Sequence, residues 1–282
     1  MIKKICVAGA GTMGSGIALC AAQNGFEVIL YDTQESILEK AKSSNIKILE
    51  GMKEKGRITA EDQEFIASSI QYSHQVSDCV ADLVVEAIIE KLEIKISLFN
   101  QLASINSSQT IFASNTSSLS IDMIQEGVPH PERVAGLHFF NPAHIMKLVE
   151  VVKGAKTDQG TVESLIDLCK QLKKSPVLCI DAPGFIVNRV ARHYYLEAMR
   201  IFENEIASME EIDQVMEATG FKMGPFKLMD LIGNDINLAV STSIYQAFDK
   251  APRFKPSQVQ IDKVEKGQLG RKTAKGFYDY SK

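Results

Sequence analysis

The run Gly9-Ala10-Gly11-Thr12-Met13-Gly14 constrains this chain more than any other feature, because glycines at that spacing impose a tight backbone turn at a fixed place. It follows a short apolar segment, Ile5-Cys6-Val7-Ala8, and opens a stretch of helical apolar period. A second apolar run, Val28-Ile29-Leu30-Tyr31, ends on Asp32, eighteen positions after Gly14. A lone glycine pattern says little. Between a strand and a helix, with an acid closing the next strand, it is the sequence form of a dinucleotide site. Gly9 permits the turn, Gly11 lets the backbone approach a pyrophosphate, and Gly14 lets helix and strand pack closely. Ala10, Thr12 and Met13 complete the turn, and the helix start offers N–H groups and a positive dipole end to phosphate. Asp32 is placed to accept both hydroxyls of a ribose and to repel a 2′-phosphate. Thr33 and Gln34 bring no arginine to hold one, so NAD is favoured over NADP, with some NADP use left open.

The chain has 282 residues, enough for two domains or one large one. With 45% hydrophobic and 23% charged residues it reads as an ordinary soluble globular protein. A formal net charge of −4 argues against nucleic acid as a partner of the whole molecule. The five cysteines (Cys6, Cys20, Cys79, Cys169, Cys179) form no CxxC pair and suggest no disulfide framework, which fits a reducing compartment. No apolar run approaches the length of a membrane span, and the first strand starts near Lys3, so a cytoplasmic protein is the expectation.

Strand-like runs at Leu83–Val85 and Thr110–Ala113 flank a helical stretch, Lys91 to Ala103. Helices are also expected over Glu35–Lys55 and Ala60–Ser69. The alternation of strand and helix, with little period of two, predicts a Rossmann-like, doubly wound, mostly parallel sheet. Two runs, Arg133–Phe140 and Lys147–Val152, then a helix (Gln159–Leu172) and a strand (Val177–Ile180), close this unit. Asp181-Ala182-Pro183-Gly184 is the best boundary signal. Everything beyond it reads as helical, beginning at Phe185. The expected domains are thus 1–183, binding a dinucleotide, and 184–282, all-α, whose many apolar residues must be buried against one another, the first domain or a second copy.

His138 and Glu150 carry the second signal. Twelve residues and an Asn141-Pro142 turn separate them, so adjacent antiparallel runs would bring them together. A carboxylate in an apolar strand is costly without a partner, and a histidine is a natural one. The pair would fix the imidazole tautomer, as a general acid–base requires. A buried structural pair fits the spacing equally well. Ser117 follows the Thr110–Ala113 strand, at the strand end where ligands bind in such sheets. Asn188 stands one turn into the first helix of the second domain. Each alone reads as structural; beside a nicotinamide they make a cradle for a carbonyl or hydroxyl oxygen.

Several further segments complete a resemblance that runs the length of the chain. They are Val84-Val85-Glu86-Ala87-Ile88-Ile89-Glu90, Ser114-Asn115-Thr116-Ser117-Ser118, Gly136-Leu137-His138-Phe139-Phe140-Asn141-Pro142 and Lys147-Leu148-Val149-Glu150-Val151. Pro183-Gly184-Phe185-Ile186-Val187-Asn188-Arg189, Met223-Gly224-Pro225-Phe226 and Gly270 to Tyr278 follow. The sequence resembles the short-chain L-3-hydroxyacyl-CoA dehydrogenases, and most of all their bacterial 3-hydroxybutyryl-CoA members. The resemblance implies hydride transfer between NAD(H) and C3 of a short-chain 3-hydroxyacyl-CoA, with His138 as acid–base and Glu150 as its orienting partner. It implies that Ser117 and Asn188 hold the C3 oxygen. It also implies that Ala87, Glu90, Lys95, Ser117, Asn141 and Lys272 meet the cofactor together with the glycine turn and Asp32. No metal is needed. Longer-chain and 3-hydroxyadipyl-CoA substrates are the alternatives. Lys53, Lys55 and Arg57 form a basic strip for the CoA phosphates, although a solvated helix end accounts for them as well. A homodimer through the helical domain is implied too.

Three other readings explain less. A Ser117–His138–Glu150 hydrolase lacks a GxSxG elbow and has the wrong chain order. A non-catalytic NAD-binding protein leaves the His–Glu pair without use. A metal site of His138, His144 and Glu150 lacks ligand spacing.

Overall fold

A computed structural model describes residues 2–281; the outermost residue of each expected domain lies outside the described residues. The chain divides into two compact units between Ala182 and Pro183.

The first unit is built on β1 (Lys4–Ala8), β2 (Glu27–Tyr31), β3 (Ile70–Ser73), β4 (Leu83–Glu86), β5 (Ile111–Ser114), β6 (Val134–Phe139), β7 (Leu148–Lys153) and β8 (Ser175–Ile180). These form one sheet in the order β3-β2-β1-β4-β5-β6-β7-β8. Every neighbouring pair is parallel except β6 with β7. The helices are α1 (Thr12–Ala22), α2 (Glu35–Glu54), α3 (Ala60–Ser68), α4 (Leu92–Ala103), α5 (Ile121–Glu126) and α6 (Gln159–Gln171). Strands β1, β2, β4 and β5 are apolar almost throughout and buried from their second residue at the latest. That is what helices on both faces of a parallel sheet require.

Small residues on α1 permit its close approach to the sheet. From Gly14 to Ala22 it is buried without a break. A Cβ added at Gly14 would stand 1.7 Å from the Gly9 carbonyl oxygen. Gly9 itself has φ 104°, and its N–H donates to the Tyr31 carbonyl at 2.7 Å. The turn is therefore clamped between β1, β2 and α1.

The second unit holds α7 (Val187–Glu203), α8 (Met209–Ala218), α9 (Pro225–Ile232), α10 (Asn234–Ala247) and α11 (Gln258–Glu265). Its core joins Tyr195, Leu196, Met199, Phe226, Met229 and Phe277. Helix α7 starts at Val187 rather than at the expected Phe185. Gly184 (φ 74°) and Phe185 (φ 47°) are left-handed, so the chain cannot continue a right-handed helix through them. Two elements of the first unit were not expected: the four-residue edge strand β3 and the short α5, which Ser120 caps by accepting from the Met123 N–H. All five cysteines are free thiols.

Gly14→Ala tests the clamp. Overpacking typically costs about 1–3 kcal/mol, and a contact with a main-chain oxygen has no flexible end to yield. Urea unfolding should show a loss of at least that size, and an unchanged midpoint would contradict the packing described.

Candidate functional site

The parallel register aligns the carboxyl ends of four strands. Ala8 pairs with Tyr31 and Glu86, Glu86 with Ser114, and Ser114 with Gly136. Residues just beyond those ends share one edge of the sheet, and the strand order reverses direction there, between β1 and β4. This is where doubly wound sheets bind ligands.

Asp32 is half-buried beyond β2. Its Oδ2 accepts the Ala10 N–H at 2.9 Å and its Oδ1 accepts the Gln34 N–H at 3.0 Å. The carboxylate thus braces the glycine turn. Gly11 caps α1 without a side-chain hydrogen bond, and a Cβ added there would meet nothing within 4 Å. An uncapped helix start beside open space fits a pyrophosphate.

A buried charge network joins the ends of β4 and β5. Glu86 is fully buried and Lys95 is 1% exposed. The Lys95 ammonium stands 2.6 Å from Glu86 Oε1 and 3.1 Å from Glu90 Oε2. Glu86 also accepts from the Ile88 N–H at 2.7 Å and the Ser114 hydroxyl at 2.6 Å. Glu90 accepts from the Thr116 hydroxyl, the Ser117 N–H (3.0 Å) and the Ser118 hydroxyl (3.1 Å). Burial pushes the Glu90 carboxyl up. The Lys95 ammonium and the hydrogen bonds from Thr116, Lys95 and Ser117 outweigh it and hold the group below the usual carboxylate range. Lys95, expected among the cofactor contacts, is enclosed by carboxylates and bears on the site through Glu90. Ala87 donates its N–H to the Ala8 carbonyl at 2.7 Å, closing the gap between β1 and β4.

His138 and Glu150 face each other as a register pair of the antiparallel β6–β7 ladder. His138 Nδ1 lies 2.7 Å from Glu150 Oε2, and both residues are buried, at 6% and 1% exposed. The Phe140 ring packs against the imidazole, with centroids 4.5 Å apart. A carboxylate only accepts, so this contact assigns the proton to Nδ1 and turns Nε2 away from the acid.

Asn141 is exposed at the start of the turn after β6. His144, in the same turn, is held below its ordinary pKa by burial and by the Lys174 ammonium. Lys53 and Lys55 are exposed at the end of α2. In the second unit, Asn188 is half-buried in the first turn of α7, and its carbonyl accepts from Arg192 Nε at 3.2 Å. Lys272 there pairs with Asp235 at 2.6 Å.

Sequence reasoning missed Glu86, Thr116, Lys174 and Arg192. Glu86 had a usable signal: a carboxylate ending an apolar strand, the argument that singled out Glu150. Lys174 follows another lysine and reads as a solvated charge.

Comparison with known proteins identifies the frame that carries these residues. The NAD-binding domain of 3-hydroxyacyl-CoA dehydrogenase matches residues 4–182, and the C-terminal domain of the same family matches 184–280. This chain belongs to the 3-hydroxyacyl-CoA dehydrogenase family. The family comprises NAD-dependent oxidoreductases acting on CH–OH groups. The chain is 46% identical over 284 residues to the 3-hydroxyadipyl-CoA dehydrogenase of Escherichia coli (strain K12), covering 99% of itself but only 59% of that longer protein. It is 43% identical over 289 residues to the mitochondrial hydroxyacyl-coenzyme A dehydrogenase of Mus musculus, covering 99% of itself and 92% of that protein. It superposes on the crystal structure of (S)-3-hydroxybutyryl-CoA dehydrogenase from Ralstonia eutropha with a TM-score of 0.95, at 35% identity and full coverage of both chains.

Lys95→Met would leave Glu86 and Glu90 without their cation. Removing one partner of a buried pair costs about 3–5 kcal/mol, so chemical unfolding should show a loss of that order. Glu90 adds a pH dependence. Its folded pKa is depressed, so its contribution is present above the unfolded carboxylate pKa and is lost as pH falls through the folded one. Stability should decline on the acid side of about pH 4.3, and Glu90→Gln should flatten that decline.

Proposed function

We propose that this protein is an NAD-dependent (S)-3-hydroxybutyryl-CoA dehydrogenase that interconverts the C3 alcohol and ketone of a short-chain acyl-CoA, with His138 and Glu150 as its acid–base pair. The observation that carries this reading is the 2.7 Å contact between His138 and Glu150 on the β6–β7 ladder of the sheet whose β1 strand ends in an uncapped dinucleotide turn. Bound NAD supplies the uptake and return of a hydride at C3. Gly9, Gly11, Gly14 and Asp32 would hold it, with Glu90, Ser117, Asn141 and Lys272 as further contacts.

The chain's own part is proton management and placement. In oxidation, His138 Nε2 takes the proton of the C3 hydroxyl; in reduction it gives that proton to the forming alkoxide. Glu150 keeps the Nδ1 hydrogen and stabilises the imidazolium formed on the way. Such help contributes about 10²–10⁴-fold. Ser117 and Asn188 orient the C3 oxygen. The Ser117 main chain is fixed by Glu90, so the hydroxyl starts from a set position. Lys53 and Lys55 attract the CoA phosphates.

One observation favours a second reading. The 46% identity to an Escherichia coli 3-hydroxyadipyl-CoA dehydrogenase points to a longer, dicarboxylic acyl chain. We place the protein in the cytoplasm as a homodimer formed through the helical unit, where Val190 (66% exposed), Ile206 (71%) and Val215 (61%) support an apolar contact. No described helix is long and apolar enough to cross a membrane.

Oxidation of NADH by acetoacetyl-CoA, compared with 3-ketoadipyl-CoA and longer 3-ketoacyl-CoA thioesters, decides the substrate. The proposal requires the highest kcat/KM with acetoacetyl-CoA, and a preference for the adipyl thioester would transfer it to the second reading. Glu150→Gln should lower kcat about 100-fold or more with NADH still bound, and near-normal turnover in a folded variant would remove the pair from the mechanism.

A further inference from the structure

Lys174 is a buried charge for which the proposed chemistry has no use. It stands between α6 and β8 and is 8% exposed. Lys173, with φ 56°, turns the chain there, and the Lys174 N–H donates back to the Cys169 carbonyl at 2.8 Å. The ammonium donates to the carbonyls of Ala143 at 2.6 Å and Met146 at 2.8 Å. Both carbonyls belong to residues 141–147, the turn that joins the His138 strand to the Glu150 strand.

That turn is exposed at Asn141, Pro142, Ile145, Met146 and Lys147, and buried at Ala143. Its own hydrogen bonds run from the Ile145 and Met146 N–H groups to the Pro142 carbonyl, at 3.0 and 2.9 Å. They close the turn on itself and do not tie it to the sheet. Two ties do. The Ser175 N–H donates to the Lys147 carbonyl at 2.7 Å at one end, and the Lys174 ammonium grips the middle. Charge-assisted bonds of this kind are among the strongest available to a main-chain carbonyl. The grip has a direction. Ala143 is pressed toward α1, where a Cβ added at Gly16 would come within 3.3 Å of the Ala143 Cβ. Asn141, Pro142, Ala143 and His144 there share the wall of a cavity of about 350 Å³ with Gly11 and Thr12 of the glycine turn.

We propose that Lys174 is a positioning residue for the dinucleotide site. By holding Ala143 and Met146 it seats the 141–147 turn against α1, and so sets Asn141 and the cavity wall beside Gly11 and Thr12. The inference rests on the NAD-dependent reading of the site. It predicts an effect on cofactor affinity in addition to any effect on stability. A lysine that only staples α6–β8 to the turn would move stability alone.

Binding of NADH, followed by its fluorescence in Lys174→Met and Lys174→Arg without acyl-CoA, tests this at a temperature where each variant is folded. Lys174→Met should weaken NADH binding about 10-fold or more, within the range that a misplaced positioning element costs. Lys174→Arg, which keeps a charged donor, should recover most of the affinity. Wild-type affinity in folded Lys174→Met would overturn the proposal whatever its melting temperature, as would an arginine variant no better than the methionine one. If Lys174→Met does not fold, Gly16→Ala presses on the same turn from the α1 side. Weakened NADH binding there supports the proposal, and unchanged binding overturns it. Because acyl-CoA is absent from the assay, a failure to turn over acetoacetyl-CoA would sink the proposed function without deciding this one.

Discussion

An ionisable carboxylate fixed in the middle of a buried strand is the constraint on which the rest of this site depends. Glu150 is 1% exposed, and in that setting a negative charge must be met by a donor or be given up. The single antiparallel step of the sheet meets it, because the β6–β7 register puts His138 directly opposite. A parallel connection would need a crossover of a dozen or more residues. The hairpin needs only the Asn141–Lys147 turn. The departure from parallel order is thus what delivers an oriented imidazole to the carboxyl-end edge of an otherwise parallel sheet.

The same edge carries a second buried charge problem, solved differently. Glu86 and Glu90 share one ammonium, that of Lys95, and the hydroxyls of Ser114 and Thr116 take up remaining acceptors. Buried ion pairs add little net stability over apolar packing, but they fix geometry once every group is satisfied. Here the geometry fixed is that of residues 116–118, which give Glu90 the Thr116 and Ser118 hydroxyls and the Ser117 N–H. The glycine turn is braced by Asp32 in a similar manner. Two of the four strand ends on this edge therefore have carboxylates organising the loop beyond them: Asp32 after β2, and Glu86 at the end of β4 with Glu90 beyond it.

What could be read in advance follows from where the physics is local. The glycine turn, Asp32 and the strand–helix alternation are legible because turn sterics and apolar period act within a few residues. The His138–Glu150 pairing was legible because a two-strand hairpin with a short turn leaves few registers. The Lys95 network was not, since Lys95 in its helix looks like any amphipathic lysine until the end of β4 and the loop after it bring Glu86 and Glu90 to its ammonium. Lys174 was hidden for the same reason. Its acceptors are main-chain carbonyls about thirty residues earlier, which carry no residue-type signal. Strand β3 was too short to show a period, and it exists because β2 offers it an edge. The start of α7 was misplaced because left-handed Phe185 cannot be inferred from an apolar residue type.

The central claim is that Glu150 holds the Nδ1 proton of His138 and leaves Nε2 to exchange a proton with the substrate oxygen. Proton–nitrogen correlation NMR of the histidine side chains, at a pH where this imidazole is neutral, addresses it directly. The account predicts the Nδ1–H tautomer for His138, with a slowly exchanging, strongly downfield proton that disappears in Glu150→Gln. An Nε2–H tautomer in the wild-type protein would contradict it.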